Sequence, residues 1–556
     1  MPPQRAKPVS ALTPCCPARM AFCFFQANSQ AINHQLSTIN DRHQRMLRAE
    51  QRARRRKHEK LRQYEPRGFL RVLEKRRSSV ALLNAVGCCA QGRPRFGVRQ
   101  CSGALGRANR DCMRTFLKRR VSFPRLPAPP DWPGLVRRFN SPQGLCAFAW
   151  IFVVTAIVFS ALPLLRYFRG RTLFDYKLWY ETGQHVLAGH EIYFLRSGKY
   201  DFMYPPPCAL FLAGASLLGQ GGLILLLVAI NSAAWFYSAR LSAILAGGMA
   251  GARNVWLYVI PNLLVIVYIW SSYHLGQPSL VLLALMLGAF FSLRANHETV
   301  TGSLIAVAAA IKAFPVIAIV YLLYRRYWIA AVSLVVTLVF LVLILPAPFR
   351  GFERAWRDIE KWRAGMLKYS ETSVGQRPMR SYTWKNQSLV GVSNRLLRHV
   401  DADAASAPHQ PIYVNLANLK FSVVNAIVVG IALALGSVFI AVMPRRDMRT
   451  VETDAIEFAL LLLLMLMVTP LSFGYFYSWL MLPFAVVTQL VLAAKHSAIL
   501  WWSLPAMALL ALGLFFSRGA QLYGNTFFAT LLLFVGLSIE LLRCKKRSKQ
   551  MQPAAS

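Results

Sequence analysis

Two ionisable residues stand where ionisable residues are expensive, and they set the chemical question. Asp175 falls within about ten residues of the end of a long apolar run. It heads the polar, aromatic-rich connector FDYKLWYETGQHVLAGHEIYFLRSGKYDFMYPPP, residues 174–207. A carboxylate there is either a solvated loop charge or a general base near a membrane surface. Glu181, Glu191 and Asp201 share the connector and compete for the role. Lys312 lies between Ile311 and Ala313 inside the apolar stretch TGSLIAVAAAIKAFPVIAIVYLLYRRYW, 301–328. A lysine so placed snorkels to an interface or meets an anion such as a lipid phosphate.

Further residues supply contacts rather than bond making. Tyr176, Trp179, Tyr180, Tyr193 and Tyr204 are interface-belt aromatics or, alternatively, stacking walls for a sugar. Pro205 to Pro207 stiffen the connector's return, since each fixes φ and removes a donor. Downstream, RSYTWKNQSLVGVSNRLLR (380–398) offers Arg380, Lys385 and Arg395 as a phosphate clamp, with Asn386 placed to cap a helix over 387–397.

The elements that must position these residues are apolar helices. Of 556 residues, 55% are hydrophobic, and they form unbroken runs such as 145–165, 255–270, 329–345, 421–443 and 458–468 rather than amphipathic stripes. Lipid cannot satisfy free backbone groups, which leaves helices or closed barrels, and the barrel's short alternation is absent. The fold class is an all-α polytopic membrane protein with about 10–13 transmembrane helices. Residues 1–140 form a basic extension read as unstructured and cytoplasmic, with Met113 as an alternative start; 141–545 form the membrane domain with outer loops at 166–206 and 346–419; 546–556 form a basic tail.

The net charge of +41 does not signal nucleic acid. About 30 of the 64 Lys and Arg precede Gln143 and most others lie in loops between spans, as the positive-inside bias expects, with no nucleic-acid module beside them. Seven of ten cysteines fall in the first 112 residues, without a CxxC pair, so neither a metal site nor a disulfide framework is expected.

Counting sides from a cytoplasmic N-terminus gives about twelve spans, with the short apolar segments 207–218 and 223–237 among them and 301–324 counted as one. Arg325-Arg326, Arg445-Arg446, Lys495 and the tail then lie inside, and the 346–419 loop and TPLSFGYFY lie outside with Asp175. Arg166, Arg169 and Arg171 argue locally against that direction. The same count puts the Gly276-Gln277 turn inside, away from Asp175. A re-entrant 255–270 would bring Gln277 outside, and a break at Lys312 that sends the chain back would bring Lys312 there too. Between these loops, residues 352–366 carry Phe352, Trp356, Ile359, Trp362 and Met366 at helical spacing, an amphipathic helix suited to an interface, with Asp358 facing away.

Taken in order, several short motifs resemble those of glycosyltransferase family 87, the polyprenyl-phosphate-mannose-dependent α-mannosyltransferase-like group with the GT-C membrane fold. They are Asp175-Tyr176 with Tyr180, the Ala188-Gly189 and Tyr193 spacing, Phe202-Met203-Tyr204-Pro205-Pro206, Gly276-Gln277, Lys312-Ala313-Phe314-Pro315, Asn386-Gln387-Ser388-Leu389 and Thr469-Pro470-Leu471-Ser472. The resemblance spans about 145–542. Gly-Gln-Pro-Ser replaces the family's Gly-Gln-x-Asn, and Thr-Pro-Leu-Ser-Phe its Ser-Pro-x-Ser-Trp-like motif.

The resemblance implies an inverting membrane glycosyltransferase that moves a hexose, mannose by analogy, from a polyprenyl-phosphate sugar to a glycolipid or glycan acceptor. It implies a multi-pass protein of the bacterial inner membrane with its site on the extracytoplasmic face. Asp175 matches the family's base. Tyr176, Tyr180, Tyr204, Gln277, Lys312, Asn386, Gln387, Arg395 and Ser472 fall at substrate-binding positions, and no metal or other cofactor is expected. The competing readings are a transporter or flippase of a lipid-linked sugar, which predicts inverted repeats that the sequence does not display, and a non-catalytic assembly subunit that gives Asp175 no role.

Overall fold

The computed structural model describes residues 140–551 except 194, 197–198, 376–381, 404–409 and 494–497. The basic extension, Arg380, Lys495 and the last five residues therefore lie outside the described residues. Within them the repeating structure is helical apart from one small hairpin pairing Leu195–Arg196 with Lys199–Tyr200. Among the described residues, eight helical stretches are long and apolar enough to cross a membrane, and four shorter apolar helices accompany them.

The chain runs between two ends of a bundle, here called the Asp175 end and the Arg325 end. Helix α1 (Pro142–Phe168) starts at the Arg325 end, where Asn140 accepts a hydrogen bond from the Val255 amide (2.9 Å), and finishes with Arg166 over the ring of Phe174. Helices α2 (Asp175–Leu187) and α3 (Pro206–Ser216) then pack on each other without leaving the Asp175 end. Gly183 permits this, because a Cβ there would sit 2.4 Å from the Leu212 carbonyl. Helix α4 (Gly219–Gly251) begins against Tyr167, beside the end of α1, so α3 has crossed nothing.

Helix α5 (Trp256–Leu275) returns to the Asp175 end as a full 20-residue span, and α6 (Ser279–Arg294) leaves it. At the far end Arg294 donates to the carbonyls of Leu245 (2.9 Å) and Val451 (2.8 Å). Helix α7 (Glu298–Ile311) climbs again and stops one residue before Lys312, whose backbone is extended. The chain turns through the 3-10 segment Phe314–Ile317, whose second residue is Pro315, and descends as α8 (Ala318–Tyr324). Proline lacks the amide an α-helix needs, so the turn is written into the sequence. Helix α9 (Trp328–Val339) runs parallel to α7, with Glu298 beside Ala330 and Ser303 bonded to Ser333 (3.1 Å) and Thr337 (3.2 Å).

Beyond α9 lie α10 (Ala347–Arg350), α11 (Phe352–Met366) and α12 (Leu389–Leu397), all at the Asp175 end. The rest of the bundle is α13 (Phe421–Val442), α14 (Val451–Val468), a 3-10 turn (Gly474–Leu480) leading into α15 (Met481–Leu492), α16 (Ala498–Phe515), α17 (Ser517–Leu522) and α18 (Asn525–Met551). Helix α18 carries on through part of the basic tail.

Two expectations of the side count are corrected here, and they offset each other. Residues 207–218 do not span, because α3 lies against α2. Residues 301–324 pass twice, because α7 ends at Ile311 and the chain doubles back. The total is unchanged, but every segment between α4 and Lys312 changes side. The Gly276-Gln277 turn moves to the Asp175 end, with 255–270 crossing fully rather than re-entering.

Helix α11 has the bounds its periodicity predicts, but Asp358 is buried rather than facing away. Arg350 donates to it at 2.6 Å, yet burial outweighs that pairing and holds the carboxyl above the usual range. The helix is strapped over the first connector by Arg350 on the His190 carbonyl (3.0 Å), Arg354 on the Gly189 carbonyl (2.7 Å), and Lys361 paired with Glu191. Phe352 and Trp356 remain exposed on its flank.

Candidate active site

Asp175 is the first residue of α2, so the positive end of the helix dipole favours its negative charge. Phe174 before it adopts φ 49° and ψ −126°, a conformation a bulky side chain seldom takes. Its ring is held between Arg166 (5.1 Å to the centroid) and His274 (4.8 Å between centroids). That clamp fixes where α2 starts and hence where the carboxylate points.

The Gly276-Gln277 turn closes on this helix. Tyr176 donates to the Tyr273 carbonyl (2.8 Å) and Trp179 donates to the Gly276 carbonyl (2.7 Å). Burial raises the Tyr176 phenol, so it stays a neutral donor. Gly276 is required twice over: its φ is +76°, and a Cβ would lie 3.0 Å from the Tyr176 ring. The turn delivers Gln277, 4% exposed, whose Nε2 donates to Asp175 Oδ2. Tyr204 donates its hydroxyl to Gln277 Oε1 at 2.8 Å. The hydroxyl of Tyr193 in turn donates to the Tyr204 carbonyl (2.6 Å), and Trp179 packs edge-on against the Tyr204 ring (4.5 Å).

Lys312 completes the group. Its Nζ lies 5.0 Å from the centroid of the Tyr204 ring, 5.2 Å from that of Tyr475 and 4.3 Å from that of Phe476. Three ring faces around one ammonium supply cation–π attraction. One line of contacts therefore runs from Asp175 through Gln277 and Tyr204 to Lys312, joining α2, the α5–α6 turn, the connector before α3 and the tip of the α7–α8 hairpin.

The polar residues of the two later motifs are bound mainly to each other. Asn386 donates Nδ2 to the Pro470 carbonyl (3.0 Å) and accepts from the amides of Ser472 (2.9 Å) and Ser388 (3.2 Å). The Gln387 amide donates to the Ser472 carbonyl (2.7 Å), and its Nε2 donates to the carbonyls of Trp384 (2.6 Å) and Gln521 (2.7 Å). Tyr477 donates to the Gln387 carbonyl at 2.7 Å. This brace fixes the start of the 3-10 turn that carries Tyr475 and Phe476 to Lys312. Asn386 does not cap the short helix; Ser388 does, accepting from the Gly391 amide.

Arg395 is fully buried and spends its guanidinium on carbonyls of Thr383 (2.7 Å), Asn386 (2.7 Å), Leu522 (3.1 Å), Gln521 (3.3 Å) and Tyr382 (3.5 Å). Burial pushes its pKa down to about 9, still charged at neutral pH. That geometry makes it a staple between loops, in place of the phosphate clamp its charge suggests. Lys385 is exposed and lies over its neighbour Trp384 (5.1 Å). Tyr180 is half-buried against the core. Sequence reasoning passed over Tyr475 and Phe476 as site residues; the aromatic density of GYFYSW was the available signal.

Residues 202–470 match the profile of glycosyltransferase family 87. That family is what this stretch of the chain is similar to. The family 87 match takes in Tyr204, Gln277, Lys312, Asn386, Gln387 and Arg395, and begins downstream of Asp175, Tyr176 and Tyr180. No curated protein and no solved structure matches the chain. With this match and its apolar spans, the protein is a multi-pass membrane glycosyltransferase, acting on a sugar donor and an acceptor.

Proposed function

We propose that the protein transfers a hexose, mannose by the family analogy, from a polyprenyl-phosphate sugar to a glycolipid or glycan hydroxyl at the outer face of a bacterial inner membrane, with Asp175 as general base. The observation that carries this reading is the line of contacts linking Asp175 to Lys312 through Gln277 and Tyr204. A base and a cation at the two ends of one rigid assembly are what a single displacement requires. The acceptor oxygen attacks the anomeric carbon while Asp175 takes its proton. The bond from that carbon to the phosphate oxygen breaks, and its electron pair leaves on the phosphate.

The leaving phosphate needs no proton, so one base suffices and the step calls for no metal. Lys312 stabilises the charge gathering on the phosphate, and its aromatic surround holds it until the donor arrives. Attack from the opposite face inverts configuration, turning a β-linked donor into an α-linked product. The brace of Asn386, Gln387 and Ser472 holds Tyr475 and Phe476 in place beside Lys312.

The test is transfer of radiolabelled mannose from polyprenyl-phosphate-mannose by membranes carrying the wild type or Asp175→Asn at equal expression. Loss of about a hundredfold or more is expected when a general base is removed. Full activity in the variant would remove Asp175 from the mechanism.

A further inference from the structure

Tyr204 meets the two ends of the site with two different parts of one side chain. Its ring faces the Lys312 ammonium, and its hydroxyl donates to Gln277 Oε1. It is nearly buried (8% exposed), and its backbone is held by Tyr193 and its ring by Trp179 and Phe202. A side-chain amide has a donor end and an acceptor end, and either can face a neighbour. Beside an ionised carboxylate only the NH2 end is tolerable, whereas beside a protonated one the carbonyl end is equally good. A phenol donates more strongly than it accepts, so a hydroxyl donating into Oε1 weights that choice toward NH2 on the carboxylate.

We infer that Tyr204 is a positioning residue: its hydroxyl locks the Gln277 amide so that the NH2 group faces Asp175 throughout the cycle, while its ring independently seats Lys312. The inference rests on the proposed role of Asp175 as base. A locked donor favours the carboxylate over the acid, so Asp175 regains its charge after each transfer. Without the hydroxyl the amide turns over, the protonated acid gains an acceptor, and Asp175 ionises only at higher pH. Charged and titratable groups close to this part of the site are Arg166 from α1, the Lys177–Glu181 pair and Tyr176 on α2, Cys208 on α3, His274 and Tyr273 on α5, and Lys312 and Tyr475 beyond Tyr204. The substitutions below leave all of them in place.

Tyr204→Phe separates the two parts, because it deletes the hydroxyl and keeps the ring. The full-length enzyme in membranes should lose roughly tenfold in kcat, the scale of one hydrogen bond to a positioned partner. Its donor KM should stay within about twofold, and the acidic limb of its pH–rate profile should move to higher pH. In a Gln277→Leu background the same change should cost nothing more, since the hydroxyl acts only through the amide.

A Tyr204→Phe enzyme with unchanged kcat and acidic limb would overturn the inference, as would losses that multiply in the double variant. A rise in donor KM with kcat and limb unmoved would assign the hydroxyl to the donor instead and equally overturn it. Activity surviving in Asp175→Asn would instead overturn the base assignment itself, so the two failures are distinguishable.

Discussion

At the scale of single residues, polarity in a motif did not reveal what the polar atom is for. Asp175 and Lys312 were legible because each carries a charge where charge is costly, and both lie at the assembled site. Asn386, Gln387 and Arg395 were equally polar, but their amide and guanidinium donors meet carbonyls of neighbouring loops, and Ser472 joins them through its backbone. A buried irregular loop must satisfy its backbone somehow, and side-chain amides and guanidinium groups do that as readily as they bind substrate. Only the folded chain tells the two uses apart. Gly276 gives the clearest single-residue prediction. Ala there must adopt φ +76° and press its Cβ on Tyr176, displacing Gln277 from Asp175. Gly276→Ala should destabilise the protein by about 1 kcal/mol or more and lower transfer strongly, read together as a fall in Tm in detergent and a loss of turnover.

At the scale of elements, the hairpin of α7 and α8 carries the site's cation, and its return leg is anchored far from the chemistry. Arg325, just after α8, donates Nε (2.8 Å) and Nη2 to Glu457 of α14 and Nη1 to the Pro444 carbonyl (2.8 Å). Tyr321 donates to the same carboxylate at 2.6 Å, and Arg446 closes on the Arg325 carbonyl. Both members of the ion pair are almost wholly buried. Arg325→Met leaves Glu457 buried without its cation, at a cost of about 3–5 kcal/mol. Combining it with Glu457→Leu should return much of that stability, measured by thermal unfolding of the purified protein.

Helix α11 was legible to the residue because amphipathic spacing is a local signal. The failure of α3 to cross was not, because its apolar composition suits a lipid-facing span and a helix packed on α2 alike. Contact with Leu212 and Ser216 through Gly183 decides the matter, and that is a tertiary fact.

At the scale of the whole molecule, fold class could be read from apolar runs, while sidedness could not be read from their number. An alternating count is a parity argument, and one helix that stays put plus one that doubles back restores the parity downstream. Between those points the assignment is reversed, and that interval holds Gln277. Single cysteines in a cysteine-free background test this directly. An impermeant thiol reagent should label Lys177→Cys and Pro278→Cys from the same side of sealed membranes, and Ala295→Cys only after they are opened. Labelling of position 295 together with 177 would return the Gly276-Gln277 turn to the other side.

The doubling back at Lys312 also limits what terminal reporters can reveal. An enzyme or fluorescent tag fused to the C-terminus reports the same compartment whether α3 crosses and the hairpin does not, or the reverse. Only reporters inserted between the end of α3 and Lys312 distinguish the two arrangements.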